Sequence, residues 1–298
     1  DKSNDKSNDK SNDKSNDKSN DKLNDKLNDK SLYNNNNNNN NINDIIIKYI
    51  EKEIDFTFIE FLNSGNYASV FLIKNNKNDK LYAIKIVGKY GKDSIKMKKN
   101  REMIFWEHMI LSKHFTNQQN IINLYDNNNC YKLINKENIN ISFIIIEYCK
   151  ETLYDRFKNN DFKFNDNIIK NIGIQMVNTL KLIHSKGYLF IDLKLENFMY
   201  RTYDSNDIVF IDFGLCSRYV NNQASHAEQK KCKNYSHNNL FSSIYCTNSY
   251  SSDRAGDIQS VGYILMYLYF NKLPWSNCND NKKILSLKKN IKSNDLFI

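Results

Sequence analysis

Five side chains in this sequence are of the kinds that move a phosphoryl group, and they recur in an order that would let them meet. Ile191-Asp192-Leu193-Lys194-Leu195-Glu196-Asn197 sets an acid, a base and an amide close together after a short apolar run. Phe210-Ile211-Asp212-Phe213-Gly214 sets a carboxylate at the end of a second apolar run, beside a glycine. Lys85 lies in Ala83-Ile84-Lys85-Ile86, and twenty residues before it the turn Leu62-Asn63-Ser64-Gly65-Asn66-Tyr67-Ala68-Ser69-Val70 carries Gly65. The chemistry follows from the residue types. A carboxylate can orient a hydroxyl and take its proton, and ammonium groups offset the charge of phosphate oxygens. Amide and carboxylate oxygens suit a hard divalent cation, and a glycine in a turn lets backbone approach a polyanion. Singly, each has a bland alternative: a hairpin needs a glycine, and a strand lysine is usually a surface charge. In this order the set reads as machinery for phosphoryl transfer.

The elements that must hold these groups follow from periodicity. Phe56 to Ile73 alternates and is rich in aromatic and β-branched residues, which predicts two strands around the Leu62–Val70 turn. A second turn at Asn75–Asn78 leads to a third strand over Leu81–Ile86. Residues 94–114 read as a helix with Ile95, Met103, Trp106 and Ile110 on one face and Lys96, Lys98, Lys99 and Arg101 on another. Ile141 to Ile146 is short and almost wholly apolar, as a buried strand would be. Asn165 or Asp166 can cap a helix whose Ile169, Ile172, Met176, Leu180 and Ile183 share one face, and Gly187 would end it. Two short apolar runs, Tyr188–Ile191 and Ile208–Ile211, precede a further helix over Asp257–Phe270. Strands with one helix come first and helices dominate afterwards. The expected fold is therefore α+β and two-lobed, with an N-lobe over about residues 50–147 and a C-lobe over about 150–298.

Composition narrows the classes. The 298 residues carry 43 Lys+Arg against 34 Asp+Glu, a net charge of +9. Residues 1–32 are a four-residue repeat, and eight asparagines run from Asn34 to Asn41. Through Asp44 there are nine Asp and eight Lys, so residues 45–298 hold +10. Residues 1–44 offer little apolar surface to bury and are expected to be a disordered low-complexity leader. No run approaches the ~20 apolar residues of a membrane span, and no signal peptide is visible in a chain that begins at Asp1. The six cysteines contain no Cys-x-x-Cys pair, which points to free thiols in a reducing compartment, cytoplasm or nucleus, rather than a disulfide framework or zinc site. The basic stretches Lys96–Arg101, Lys230–Lys233 and Lys282–Lys292 lack interleaved aromatics, so they read as solvated faces and argue against nucleic-acid binding.

In order, spacing and context, Gly65, Lys85, Asp192-x-Lys194-x-x-Asn197 and Asp212-Phe213-Gly214 resemble the protein-kinase signature over roughly residues 55–275. The resemblance implies a serine/threonine protein kinase that uses ATP and Mg²⁺. It assigns Asp192 to the substrate hydroxyl, Lys194 to the transferring phosphate, and Asn197 and Asp212 to the metal. Lys85 would contact the α- and β-phosphates. Its acidic partner on the following helix is expected to be Glu102, since Glu102-Met103-Ile104-Phe105-Trp106 fits the family's pattern, with Glu107 as the fallback. The turn residues Leu62, Asn63, Ser64, Gly65, Asn66, Tyr67, Ala68, Ser69 and Val70 would cover the nucleotide, with Leu62, Val70 and Ala83 sandwiching adenine. The Glu147 carbonyl and Cys149 amide would bind the base, behind Ile146 as gatekeeper. His184 and Asp257 match residues that buttress the catalytic loop.

Asp207 to Tyr219, and Arg254 to Tyr263 with Leu273-Pro274-Trp275, resemble the casein kinase 1 and vaccinia-related kinase group. Three departures stand out. Phe190-Ile191 replace the usual His-Arg before the catalytic aspartate, which removes a basic pocket for an activation-loop phosphate. Asn63 and Ala68 replace the outer glycines of the turn. The chain ends 23 residues after Trp275, so the C-lobe is expected to be curtailed. These departures leave an alternative from another class, a pseudokinase acting as a binding scaffold, and a distant third, a small-molecule kinase of related fold. The expected partner is a protein substrate, acidic or pre-phosphorylated to suit the basic balance, and the expected state is a monomer.

Overall fold

The computed structural model describes residues 45–65, 67–90, 94–126, 130–136, 139–220, 230–231 and 238–291. The expected leader at 1–44, Asn66, and parts of the basic stretches near 232 and 292 lie outside the described residues. A short helix α1 (45–51) leads into three strands, β1 (Phe56–Ser64), β2 (Ser69–Asn75) and β3 (Leu81–Tyr90). Their alternating aromatic and β-branched residues suit a pleated surface. With β4 (Tyr131–Lys136) and β5 (Ile139–Glu147) they form one antiparallel sheet ordered β1-β2-β3-β5-β4. Lys85 thus sits on the central strand, opposite Val70 on one side and Ile144 on the other, while Ala83 faces Ile146. Strand β1 slips register at Phe58/Glu60 and Phe61/Asn63, irregularities of the kind that bend a strand and raise its twist.

Helix α2 (Ile95–His114) has the expected length, capped by Ser94 accepting from the Met97 amide. Its buried face differs from the predicted one. Ile95 is 82% exposed, and the inward side carries Asn100, Ile104, Glu107, Ile110 and Leu111. Charges at almost every turn leave this helix without a clean apolar stripe, so periodicity alone could not set its phase.

The second lobe starts at β6 (Glu151–Thr152) and α3 (Leu153–Asn159), where Thr152 and Asp155 form a reciprocal capping box. Helix α4 (Asp166–Ser185) is capped by Asn165, and all five residues of its predicted face are buried. Gly187 follows at φ +82°, a left-handed conformation that glycine adopts at no steric cost. The chain then passes through β7 (Tyr188–Leu189), a 3₁₀ turn (Leu195–Asn197), β8 (Phe198–Tyr200), β9 (Ile208–Phe210), a second 3₁₀ turn (Phe213–Leu215) and β10 (Ser217–Arg218). Strands β6, β8 and β9 make one small sheet, and β7 with β10 another. Helices α5 (Ile244–Thr247), α6 (Arg254–Phe270) and α7 (Asn281–Lys289) complete the lobe. Helix α6 begins three residues before the predicted Asp257 because Asp253 caps it, accepting from the Gly256 amide at 2.7 Å.

The architecture is the expected two-lobed one, a sheet with one long helix followed by a mainly helical lobe. One apolar core runs through both lobes: Ile104, Leu111 and Phe115 join Phe190, Phe210 and Phe213. No described helix is long and apolar enough to cross a membrane, and Cys130, Cys149, Cys216, Cys246 and Cys278 are free thiols.

Candidate active site

Asp257 of α6 organises the segment after β7. Its carboxylate is 1% exposed and accepts from the Phe190 amide at 2.9 Å and the Ile191 amide at 3.0 Å. The same group meets His184 Nε2 at 2.9 Å. These bonds hold Ile191 at φ 72°, a conformation that a β-branched residue adopts only under constraint. Asp192 follows at once. Lys194 Nζ donates to its Oδ2 at 2.6 Å, and Asn197 Nδ2 donates to its Oδ2 at 2.9 Å and to its carbonyl at 2.7 Å. With Nδ2 so used, the Asn197 oxygen is the atom left for a cation. The Ile211 amide donates to the Asn197 carbonyl at 3.0 Å, which ties this loop to the segment bearing Asp212.

Asp212 also lies in the left-handed region, at φ 67°. Its Oδ1 accepts from Lys85 Nζ at 2.8 Å, and Lys85 reaches Glu107 Oε2 at 2.7 Å. Glu107 Oε1 in turn accepts the Phe213 amide at 3.2 Å. The acidic partner of Lys85 is therefore Glu107, not Glu102, which is exposed. Five residues turn an α-helix by about 140°, so the two glutamates cannot share a face, and the inward one lies beside Ile104 and Leu111. Burial alone would lower the Lys85 pKa, but the carboxylates of Asp212 and Glu107 outweigh it and hold it well above its ordinary value. Burial likewise opposes ionisation of Asp212, yet the Lys85 ammonium keeps its carboxyl below the usual range. Trp106 Nε1 donates to the Cys216 carbonyl at 2.7 Å, a second tie between α2 and the Asp212 segment.

The turn between β1 and β2 is closed by the Gly65 amide donating to the Ala68 carbonyl at 2.9 Å. Asn63, which stands where an outer glycine was expected, accepts from the Ser64 amide at 2.8 Å. Tyr67 projects inward: its hydroxyl accepts from Lys85 Nζ at 2.5 Å and donates to Asp212 Oδ1. Leu62 and Val70 are half-buried and Ala83 is buried. At the far end of β5 the Cys149 amide has no hydrogen-bond partner among the described residues, as an edge for adenine requires. Its thiol is pushed up to about 12 by burial, which marks it as inert lining. The Glu147 carboxylate is engaged by other partners. Arg201 grips it at 2.8 and 3.0 Å, and the Asn123 amide donates to it at 2.9 Å. Nothing in the local sequence singled out Arg201 or Tyr67 for these roles, because both act across long sequence separations.

The donor set fits a magnesium nucleotide. One carboxylate (Asp212) and one amide oxygen (Asn197) offer hard ligands, and Lys85 offers an ammonium beside them. Among the described residues no group of three or more His, Cys, Asp or Glu could hold a metal ion. A cation here would take its remaining ligands from phosphate and water, as Mg²⁺ commonly does.

Comparison with known proteins agrees with this geometry. The protein kinase domain family matches residues 56–295. A probable casein kinase I homolog of Encephalitozoon cuniculi (strain GB-M1) is 26% identical over 243 residues, covering 81% of this chain and 71% of that protein. A probable serine/threonine-protein kinase of Fowlpox virus (strain NVSL) is 30% identical over 141 residues, 47% of this chain and 46% of its own. The B1 kinase of Monkeypox virus is 27% identical over 154 residues, 51% and 50% of the two chains. The chain thus spans about half the length of the two poxvirus relatives.

Proposed function

This chain belongs to the protein kinase family, and on that premise we propose that it transfers the γ-phosphate of ATP to serine and threonine hydroxyls of proteins. One observation carries the reading. Lys85 is held at once by Glu107 and Asp212, while Asp192, five residues before Asn197, gathers both Lys194 and Asn197. Asp192 would accept the hydroxyl proton and orient the oxygen in line with the phosphate. Lys194, already 2.6 Å from Asp192, would offset charge on the group in transit. Lys85 would hold the α- and β-phosphates, and the Cys149 amide with the Glu147 carbonyl would seat adenine. Asn197 and Asp212 would hold Mg²⁺, whose positive charge supports the developing charge on phosphate oxygens when bound. Catalysis of this kind is positioning and charge stabilisation, and the bonds around Asp257 and Glu107 hold those groups in place.

The +10 carried by residues 45–298 favours an acidic or pre-phosphorylated substrate segment, which electrostatic attraction would bring to the cleft. The decisive test is transfer of labelled phosphate to casein and to the chain itself, wild type beside Asp192→Ala. Loss of a general base of this class lowers the rate by about 10²–10⁴-fold. Equal labelling by both proteins, or none by either when both are folded, would rule the reading out.

A further inference from the structure

The turn tyrosine, Tyr67, is placed where a ligand would be. Its hydroxyl accepts from Lys85 Nζ at 2.5 Å and donates to Asp212 Oδ1. The Lys85 ammonium also lies 4.5 Å from the centroid of its ring. Its carbonyl accepts from Asn100 Nδ2 of α2 at 3.2 Å, so side chain and backbone are both held. The floor is close beneath it: a Cβ on Gly214 would come 2.9 Å from the tyrosine oxygen, so a larger residue there would press on this hydroxyl. Two of these contacts engage the groups assigned above to phosphate and metal.

An ammonium has three donors, and Lys85 spends all three, on Glu107, Asp212 and Tyr67. A phosphate oxygen cannot be added to that set; it must replace a member. Glu107 is a carboxylate with 1% exposure, and Asp212 is a carboxylate too. Tyr67 is the one neutral partner, and it sits on a short turn, closed by the backbone bond between Gly65 and Ala68. Hydrogen bonds between two charged groups are stronger than those with a neutral one, so the tyrosine is the member that leaves.

We propose that Tyr67 is an internal competitor for the phosphate subsite, which sets the affinity for phosphate-bearing nucleotides while leaving the affinity for the bare nucleoside untouched. This rests on the kinase reading of the cleft and adds the residue that limits nucleotide entry. Adenosine, seated at the Cys149 edge, has no group that must reach Lys85. ADP and ATP cannot bind fully until the hydroxyl has left, so the energy of its two bonds is subtracted from theirs.

The test is a calorimetric titration of wild type, Tyr67→Phe and Asn100→Ala with adenosine, Mg-ADP and Mg-ATP. Removing the hydroxyl of a bond to charged groups should tighten both nucleotides about tenfold and leave adenosine within about twofold. Asn100→Ala, which frees only the Tyr67 carbonyl, should move the nucleotides in the same direction by about threefold, and it carries the test if Tyr67→Phe does not fold. Unchanged or weaker Mg-ATP binding by folded variants would overturn the proposal, as would an equal gain for adenosine. Those outcomes leave the kinase reading standing. Failure of every protein to bind any of the three ligands would remove both, and the selective pattern without phosphate transfer would remove catalysis alone.

Discussion

The single ammonium of Lys85 holds the cleft together, and which glutamate meets it is a matter of helix phase. Glu107 is 1% exposed and bridges Lys85 to the Phe213 amide, so it fixes both the lysine and the Asp212 segment. Glu102 points to solvent. Replacing Glu107 by Gln leaves the lysine short of a carboxylate in a buried setting, where an unbalanced charge is costly. We expect Glu107→Gln to lower kcat/KM for ATP by about 10–100-fold, and Glu102→Gln to change it less than about twofold. Steady-state rates for the two variants decide the matter, and a larger loss from Glu102→Gln would reverse the assignment. Asp192, Lys194, Asn197 and Asp212 were legible in the sequence because each motif is local, set within a few residues of a short apolar run. Glu107 was harder, since it pairs across 22 positions and the five-residue pattern after Glu102 pointed elsewhere. A signal was present: Glu107 follows Ile104 by three residues and precedes Leu111 by four, so an acid sits on the inward stripe.

At the level of elements, strands and the strongly periodic α4 could be read directly, whereas helices with charges on every side could not. Helix α7 shows why. Lys282 to Lys292 reads as a solvated basic run, yet Ile284 and Lys288, four apart, both face inward. Lys288 is 2% exposed, and its Nζ donates to the carbonyls of Asn239 at 2.9 Å and Ser242 at 2.7 Å and to Thr247 Oγ1 at 3.1 Å. It also lies 5.4 and 5.3 Å from the ring centroids of Tyr263 and Trp275. No carboxylate is among these partners, and burial lowers its pKa to about 8 from 10.5. Between those values Lys288 binds more protons in the unfolded chain than in the folded one, so its contribution to stability rises with pH across that window. Lys85 and the buried tyrosines have raised values and act only above about pH 10. The buried thiols of Cys130, Cys149 and Cys216, also raised by burial, oppose the gain from about pH 8.5 equally in wild type and variant and so cancel from the comparison. Between pH 7.5 and 9.5, wild type should therefore gain about 1–2 kcal/mol relative to Lys288→Met. Urea melts at the two pH values measure this difference, and parallel behaviour of the two proteins would show that Lys288 does not titrate there.

At the scale of the whole molecule, the order of elements revealed two lobes but not how firmly they are joined, because the joining contacts link residues far apart in sequence. The segment after α2 carries much of the connection. Ile122 and Asn120 exchange backbone bonds with Phe210 at 3.0 and 2.9 Å, and Leu124 bridges to Ile146. Arg201, which follows β8, binds Glu147 at the end of β5 and the carbonyls of Gln119 and Ile121. Beneath these polar ties Phe115 packs on Phe213 at 5.6 Å between ring centroids, and Phe213 on Phe190 at 5.2 Å. A core shared in this way makes separate melting of the lobes expensive, since opening either one would expose the same phenylalanines. Calorimetry should accordingly show one unfolding transition for the folded domain. Arg201→Met removes the cation that partners Glu147 in a site about a quarter exposed, with side-chain accessibilities of 30% and 22%, so solvent softens the loss to about 1–2 kcal/mol. For a domain of this size that is a shift of roughly 2–8 °C in Tm. The transition should move as a whole. If Arg201→Met instead splits it into an early and a late step, the lobes are joined chiefly by the arginine clamp and not by the apolar core beneath it.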